Sequence, residues 1–340
     1  MALNNVNIKR ISIIGDGGWG TTLAIHLSRK KYPVTLWGAF PENIAQSAKS
    51  RENKKFLPGI KIPALVRLTS NLDEAISFGD LIVLSTPSEY LTDTLSKVQH
   101  TSYKGKVFVS VIKGIHPMSF KRMSQIIEEY LPRVPLVVLS GPTIAGEVAQ
   151  NIATTAVAAC KDQKLAIAIQ KVFNSPSFRI YTNTDVIGVE FGGSVKNVIA
   201  LACGICDGLK LGTNAKAAVL TRGLVEITRL GVALGGRQET FYGLTGLGDL
   251  VTTCFSPNSR NRTVGEALGK GKKIKDVLSG MDAVAEGVVT AKAVYLLAQK
   301  EKIEMPIVGE VYKIIFENKL AKNAMKDLLS RPLKPESSLR

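Results

Sequence analysis

The chain has 340 residues, 45% apolar and 21% charged, with a formal net charge of +16 at neutral pH. That length suggests two domains, and the balance is that of a folded globular protein, which sets aside disordered and fibrous classes. Four cysteines are too few for a disulfide scaffold, and the basic residues are scattered without the aromatic interleaving of a nucleic-acid-binding strand.

Lys9-Arg10-Ile11-Ser12-Ile13-Ile14-Gly15 reads as a buried parallel strand, a short β-branched apolar run ending in glycine. Gly15-Asp16-Gly17-Gly18-Trp19-Gly20 follows and opens an amphipathic helix, giving G-x-G-x-x-G between strand and helix. In that context Gly15 allows a tight turn, Gly17 lets the backbone approach a pyrophosphate, and Gly20 lets helix and strand pack closely. The helix start adds free N–H groups and partial positive charge, so the segment predicts a dinucleotide site. A second strand covers 33–38, and a helix 41–50. Residues 51–64 form a loop broken by Leu57-Pro58-Gly59 and Ile62-Pro63. A strand over 66–69 precedes a helix that Asn71 caps and that ends near Phe78. Strands over 80–85, 106–111 and 136–140 follow, the first with a helix running to His100. A last pair covers 154–159 and 178–181 with a helix between. This alternation predicts an α/β fold, a Rossmann-like doubly wound and mostly parallel sheet over 1–187. From Gly188 the periodicity becomes helical, with segments at 192–206, 215–234, 259–268, 286–301 and 307–317, so an all-helical domain is expected over 188–340. The tail from Arg331 is expected to be poorly ordered. Residues 1–7 lack a secretory-signal pattern, and no apolar run approaches the roughly 18 residues of a membrane helix. No membrane span and a cytoplasmic location are expected.

Open α/β sheets bind ligands at the carboxyl ends of their strands. Three polar clusters fall there: Ser85-Thr86-Pro87-Ser88, Val111-Ile112-Lys113-Gly114 and the run from Ser140 to Glu147 that holds Gly141, Thr143 and Ala145. Each alone is ordinary turn chemistry; the three together point at one crevice. In the helical half, Lys196 stands in Gly-Val-Glu-Phe-Gly-Gly-Ser-Val-Lys-Asn-Val-Ile-Ala, a cation in a small-residue apolar helix. Burying an ammonium costs several kcal/mol unless it is paired or deprotonated, and proton transfer with a substrate hydroxyl would explain its presence. Asp249 in Gly-Leu-Gly-Asp-Leu and Ser259-Arg260-Asn261-Arg262 are further polar points. A helix cap and a surface cation are the plain readings of Asp249 and Arg260; phosphate recognition by the planar guanidinium is the functional one. Cys203 and Cys206 lie one turn apart inside a helix and read as packing, as do Cys160 and Cys254; no second pair completes a zinc site, and no metal is expected.

The ordered set Gly-Asp-Gly-Gly-Trp-Gly-Thr, Val-Ile-Lys-Gly-Ile, Ser-Gly-Pro-Thr, Gly-Val-Glu-Phe-Gly-Gly-Ser-Val-Lys-Asn, Gly-Leu-Gly-Asp-Leu and Ser-Arg-Asn-Arg resembles the NAD(P)-dependent glycerol-3-phosphate dehydrogenase family of bacterial type. The resemblance spans essentially the whole chain. It implies an oxidoreductase that interconverts sn-glycerol 3-phosphate and dihydroxyacetone phosphate, in a bacterium supplying glycerol 3-phosphate for phospholipid synthesis. It implies Lys196 as general base and acid, its pKa well below the ordinary value of about 10.4, with Asp249 orienting it and Lys113 polarising the carbonyl. Lys113, Gly141, Thr143, Lys196, Asp249, Ser259, Arg260 and Asn261 would contact substrate. Gly18, Trp19, Lys113, Ala145, Arg260, Val284 and Glu286 would line the dinucleotide, beside Gly15, Gly17 and Gly20.

Two departures stand out. Asp16 replaces a small neutral residue of the family, and an acid beside a pyrophosphate repels it unless the side chain points outward. The end of the second strand, Trp37-Gly38-Ala39-Phe40, carries neither the acid that selects NAD nor an arginine for a 2′-phosphate. Either NAD or NADP fits this reading, with a lean to NADPH because no acid there repels it. The expected partner is a small phosphorylated substrate, not nucleic acid or membrane; a homodimer is left open. The alternatives are another lysine-based two-domain dehydrogenase, of β-hydroxyacid or 6-phosphogluconate type, and a non-catalytic dinucleotide sensor.

Overall fold

The computed structural model describes residues 8–280, 285–333 and 335–336. Short apolar runs pair into one eight-stranded sheet. Its elements are β1 (Ile11–Ile14), α1 (Gly18–Arg29), β2 (Val34–Trp37), α2 (Pro41–Ser50), β3 (Val66–Thr69), α3 (Leu72–Phe78), β4 (Leu81–Leu84), α4 (Leu91–Val98) and β5 (Val107–Ser110). They continue with α5 (Met123–Tyr130), β6 (Leu136–Ser140), α6 (Ala145–Ala149), β7 (Thr154–Ala159), α7 (Gln163–Phe173) and β8 (Phe178–Asn183). The strand order is β3-β2-β1-β4-β5-β6-β7-β8, parallel throughout except where β6 meets β7. Ile14 is level with Trp37 on one side and Leu84 on the other. Chain direction across the sheet reverses between β1 and β4, so the Gly15–Gly20 loop leaves β1 at the switch point where such sheets hold ligands. Helices cover both faces: Leu81 and Val83 join one buried cluster, Ile82 and Leu84 the other. Strands buried on two faces read as continuous apolar runs, which is why they were visible in the sequence.

The chain then becomes helical: α8 (Val186–Gly208), α9 (Gly212–Ala233), α10 (Gln238–Phe241), a π-helical turn at Leu244–Gly248, α11 (Asp249–Phe255), α12 (Arg260–Gly269), α13 (Ile274–Ser279), α14 (Glu286–Lys300), α15 (Pro306–Phe316) and α16 (Ala321–Leu329). These helices enclose a core centred on α8.

The structure divides into two compact units, residues 1–113 with 121–186, and 114–120 with 187–340. A single boundary at 187 is therefore a simplification. Residues 114–120 go with the helices because Ile115 is buried in their core and Phe120 packs against it. A second correction concerns apolar length. The helix α8 has 23 residues and a window of mean hydropathy 1.4, enough to cross a membrane by length and composition, although the sequence shows no uninterrupted apolar run of that size. It carries Glu190 and Lys196, and 89% of that window is buried within the protein, so it is a core helix. Of the tail, Arg331 pairs with Glu304 and the Glu336 carbonyl accepts from Arg222 at 3.1 Å, while residues 334 and 337–340 lie outside the described residues.

Candidate active site

In the sheet unit, the turn after β1 has the geometry of a phosphate cradle. Gly15 has φ of +120°, and a Cβ there would lie 2.7 Å from the Ser85 backbone at the end of β4. A Cβ on Gly17 would meet no atom within 4 Å, whereas one on Gly20 would strike the Gly15 carbonyl. The open side of the loop is at Gly17, and the closed side is where helix meets strand. Helix α1 starts at Gly18 with no side-chain cap and no acid in its first turn. Its first N–H groups and the positive end of its dipole therefore suit an anion. Trp19 is half-buried, its ring edge-on to Phe178 at 6.3 Å. A Cβ on Gly18 would lie 2.7 Å from the Phe56 carbonyl and 3.9 Å from Ala145 Cβ, and the Ala145 carbonyl accepts from Thr22 Oγ1 at 3.0 Å, so α6 is tied to α1. These residues fit the pyrophosphate of a dinucleotide.

Lys113, just past β5, donates from Nζ to the Gly141 carbonyl at 3.0 Å, and the Thr143 hydroxyl donates to the same oxygen at 3.2 Å. The ends of β5 and β6 are thereby joined, bringing three candidate residues into contact. Asp16 corrects the reading of the β2 terminus. Its carboxylate turns sideways to Gly38, where a Cβ would lie 2.7 Å from Asp16 Oδ2, and accepts from Asn43 Nδ2 at 2.5 Å. An acid thus does stand at the end of β2, supplied by the glycine loop. Burial pushes its pKa above the ordinary carboxylate value, partly offset by the Asn43 hydrogen bond. Asn53 Nδ2 donates to the Asp16 carbonyl at 2.6 Å and to Thr21 Oγ1 at 2.9 Å, fixing the loop from beneath.

In the helical unit, Lys196 is 5% exposed and Asp249 1%. Lys196 Nζ donates to Asp249 Oδ1 and, at 2.7 Å, to Thr253 Oγ1. Thr253 in turn donates to the Asp249 backbone carbonyl at 2.7 Å. Backbone approach makes this possible. Gly192 precedes Lys196 by one turn, and a Cβ on it would lie 2.6 Å from the Thr245 carbonyl in the π-helical turn. Thr245 likewise precedes Asp249 by four residues, so the contact at Gly192 sets the two charged residues side by side. Wide π turns recur at functional sites, where they re-aim the helix that follows.

A second close crossing positions α12. On α8, side chains at Gly204 and Gly208 would run into the carbonyls of Arg262 and Glu266; on α12, those at Gly265 and Gly269 would run into Leu201 and Ile205. Two glycine pairs at four-residue spacing let the helices cross backbone to backbone. The start of α12 is thereby held against α8, with Ser259 capping it by accepting from Arg262 N at 3.3 Å. Asn261 is buried, and its Oδ1 accepts from Gly287 N at 2.9 Å, which anchors Glu286 at the first turn of α14. A Cβ on Gly287 would lie 2.7 Å from the Asn197 carbonyl, so α8, α12 and α14 converge next to Lys196. Arg260 is exposed at the first position of α12. Arg262 is structural: its Nε donates to Asp207 at 2.7 Å, and Asp207 also pairs with Lys216. Val284 lies outside the described residues.

Sequence reasoning missed Thr253, Asn43 and Asn53. Thr253 was within reach, since it sits four residues after Asp249 on one helix face. The asparagines were not, because their partners are distant in sequence. The cysteines are all buried and free, and burial pushes Cys206 up to about 11, the reverse of an activated thiol.

Two family models match the chain: the N-terminus of NAD-dependent glycerol-3-phosphate dehydrogenase over residues 10–166, and its C-terminus over residues 185–326. A glycerol-3-phosphate dehydrogenase [NAD(P)+] of Chlorobium limicola is 47% identical over 329 residues, covering 96% of this chain and 99% of that protein. One from Geobacter sulfurreducens is 47% identical over 333 residues with the same coverage. The crystal structure of glycerol-3-phosphate dehydrogenase from Coxiella burnetii superposes with a TM-score of 0.92 at 36% identity, covering 95% of this chain and 99% of that one.

Proposed function

The chain belongs to the NAD-dependent glycerol-3-phosphate dehydrogenase family, and we propose that it interconverts sn-glycerol 3-phosphate and dihydroxyacetone phosphate with Lys196 as proton acceptor and donor. The observation that carries this reading is the buried cluster of Lys196, Asp249 and Thr253. A lysine almost wholly withdrawn from water and bonded to a buried carboxylate is costly to build for stability alone.

When bound, NAD or NADP supplies the hydride acceptor or donor for C2 of the substrate. Lys196 takes the C2 hydroxyl proton in oxidation and returns it in reduction. Asp249 and Thr253 hold the amine in one direction, which saves the entropy of orienting it at each turnover. Lys113, tethered to Gly141, polarises the substrate oxygen, while Gly141 and Thr143 line the triose. Arg260 binds the phosphate through its planar fork, with the Asn261 amide donors and the Ser259 hydroxyl beside it. Gly18, Trp19, Ala145 and Glu286 line the dinucleotide. Run towards reduction in the cytoplasm, the reaction supplies glycerol 3-phosphate to phospholipid synthesis.

The test is dihydroxyacetone phosphate-dependent oxidation of NADH and NADPH. Lys196→Ala should lower turnover about 100-fold or more while dinucleotide affinity stays nearly intact. Arg260→Ala should raise KM for the phosphorylated ketone and leave unphosphorylated dihydroxyacetone unaffected. Near-wild-type turnover in Lys196→Ala removes the lysine from the chemistry.

A further inference from the structure

We propose that Asp16 is the residue that selects the dinucleotide, by presenting to the adenosine ribose a carboxylate that favours NADH over NADPH. The inference rests on the enzyme reading above and concerns only which dinucleotide the site prefers. In doubly wound folds the ribose lies beyond the end of the second strand, and an acid there accepts from the 2′-hydroxyl while repelling a 2′-phosphate. Here that strand ends in Trp37-Gly38-Ala39-Phe40, with no acid and no cation of its own. The carboxylate arrives from the glycine loop instead. Asp16 crosses to β2 and lies against Gly38, filling the space that a side chain at Gly38 would need.

Three contacts hold it there. Asn43, in the first turn of α2, donates to Oδ2 at 2.5 Å. The Asp16 carbonyl accepts from Asn53 at 2.6 Å and from Thr21 Oγ1 at 3.2 Å, so neither loop nor side chain is free to swing away. Asn43 engages Oδ2, the Asp16 backbone N–H and the Lys55 charge also act on the carboxylate, and its remaining lone pairs serve a ribose hydroxyl. The carboxylate is 7% exposed, so water screens it poorly. A phosphate brought beside it would feel a like charge at reduced dielectric, an interaction far stronger than in bulk solvent. Specificity of this kind comes from repelling the wrong ligand as much as from binding the right one. The same geometry explains how an acid is tolerated in a phosphate loop: its charge is directed at the strand end, and the N–H groups of α1 remain for the pyrophosphate.

Calorimetric titration of NADH and NADPH into the wild-type protein tests this without turnover. NADH should bind about tenfold or more tighter than NADPH, the scale of a local like-charge penalty. Asp16→Asn, which keeps the size and an acceptor for Asn43, should improve NADPH binding about tenfold and change NADH by less than about threefold. Ala39→Arg, made on the wild-type loop, should also raise NADPH affinity by adding a cation at the same corner. Equal wild-type affinities, a wild-type preference for NADPH, or an Asp16→Asn effect of equal size on both dinucleotides overturns the proposal. Should Asp16→Asn fail to fold by circular dichroism, the wild-type ratio and Ala39→Arg decide. Wild-type protein that turns over dihydroxyacetone phosphate without preferring NADH sinks the Asp16 assignment alone; wild-type protein that binds neither dinucleotide sinks the enzyme reading with it.

Discussion

Removing Asp249 while keeping Lys196 separates what the buried pair does for folding from what it does for chemistry. Both side chains are within a few per cent of full burial, Lys196 at 5% and Asp249 at 1% exposed. In Asp249→Ala an ammonium loses its carboxylate out of reach of water, and breaking such a pair from one side costs about 3–5 kcal/mol. Thr253 Oγ1 remains 2.7 Å from Nζ, which places the expectation towards the lower end. Lys196→Met keeps the chain length but takes the ammonium from beside the buried Asp249 carboxylate, at a similar cost of about 3 kcal/mol. The double variant Lys196→Met with Asp249→Leu replaces two charges by two apolar groups of like size and should lie within about 1 kcal/mol of wild type, since a well-packed apolar substitute is often neutral. With Asp249→Leu as the matching single variant, which removes the same carboxylate, the single losses sum to about 6 kcal/mol and the double loss to about 1, so the coupling should be about 5 kcal/mol. Urea unfolding followed by circular dichroism measures it, and turnover is measured on the same samples. The double variant should be folded and inactive. A loss below about 1 kcal/mol in Asp249→Ala, or a double variant as unstable as the summed singles, would refute the account of a pair deprived of water.

Two further predictions follow from other parts of the molecule. Gly265→Ala puts a methyl group against the Leu201 carbonyl, where two backbones and no flexible side chain must yield. It should cost about 1–3 kcal/mol and lower the melting temperature, with turnover falling because Asn261 moves; a melt like wild type would show that α12 is free to shift. The pH dependence should differ between the two units. His26 in the sheet unit is driven by burial down to about 4 from an ordinary 6.5, its Nε2 bonded to the Phe173 carbonyl at 2.7 Å. Its folded value is depressed, so the stability it contributes is present above 6.5 and lost as pH falls through about 4. Glu226 in the helical unit is driven by burial up to about 7 from 4.5, despite accepting from the N–H groups of Ile307 and Val308. Its folded value is raised, so its contribution is present below 4.5 and lost as pH rises through about 7. Each amounts to about 3 kcal/mol. Relative to wild type, Glu226→Gln should gain melting temperature at about pH 8 more than at about pH 5, and His26→Gln should gain more at about pH 4.5 than at about pH 7.5. Offsets independent of pH would rule the assignment out.

Much of the fold was legible because its signals are local. The strand Val66–Thr69 and the following helix were read to the residue: Asn71 accepts from Glu74 N at 3.1 Å, and the strand begins and ends on a β-branched residue, Val66 and Thr69. The helix Met123–Tyr130 was missed although its apolar positions repeat at helical spacing. Its start is closed by Gln125, whose Oε1 accepts from Arg122 N at 3.0 Å, and arginine is not a residue that announces a helix start. The candidate site divides in the same way. Lys196 and Asp249 stood out as charges in apolar stretches. The direction of Asp16 did not, because it is decided by Asn43 and Gly38 on the neighbouring strand and helix. Nor did the boundary at 114–120, which depends on where Ile115 and Phe120 find a core.

What joins the two close crossings in the helical unit is that glycine sets distance before any side chain acts. Lys196 meets Asp249 because Gly192 lets the π-helical turn lie on α8, and Asn261 reaches Gly287 because Gly204, Gly208, Gly265 and Gly269 let α12 lie on the same helix. None of these five glycines carries a functional group. A methyl added at any of them would push apart backbones whose rigidity holds the polar groups within hydrogen-bond reach. A displacement of about 1 Å is enough to lower turnover about 100-fold where a proton must pass between aligned atoms. The helical unit therefore has the geometry of its buried polar cluster specified twice, once by the charged residues that pair and once by the small residues that let them meet.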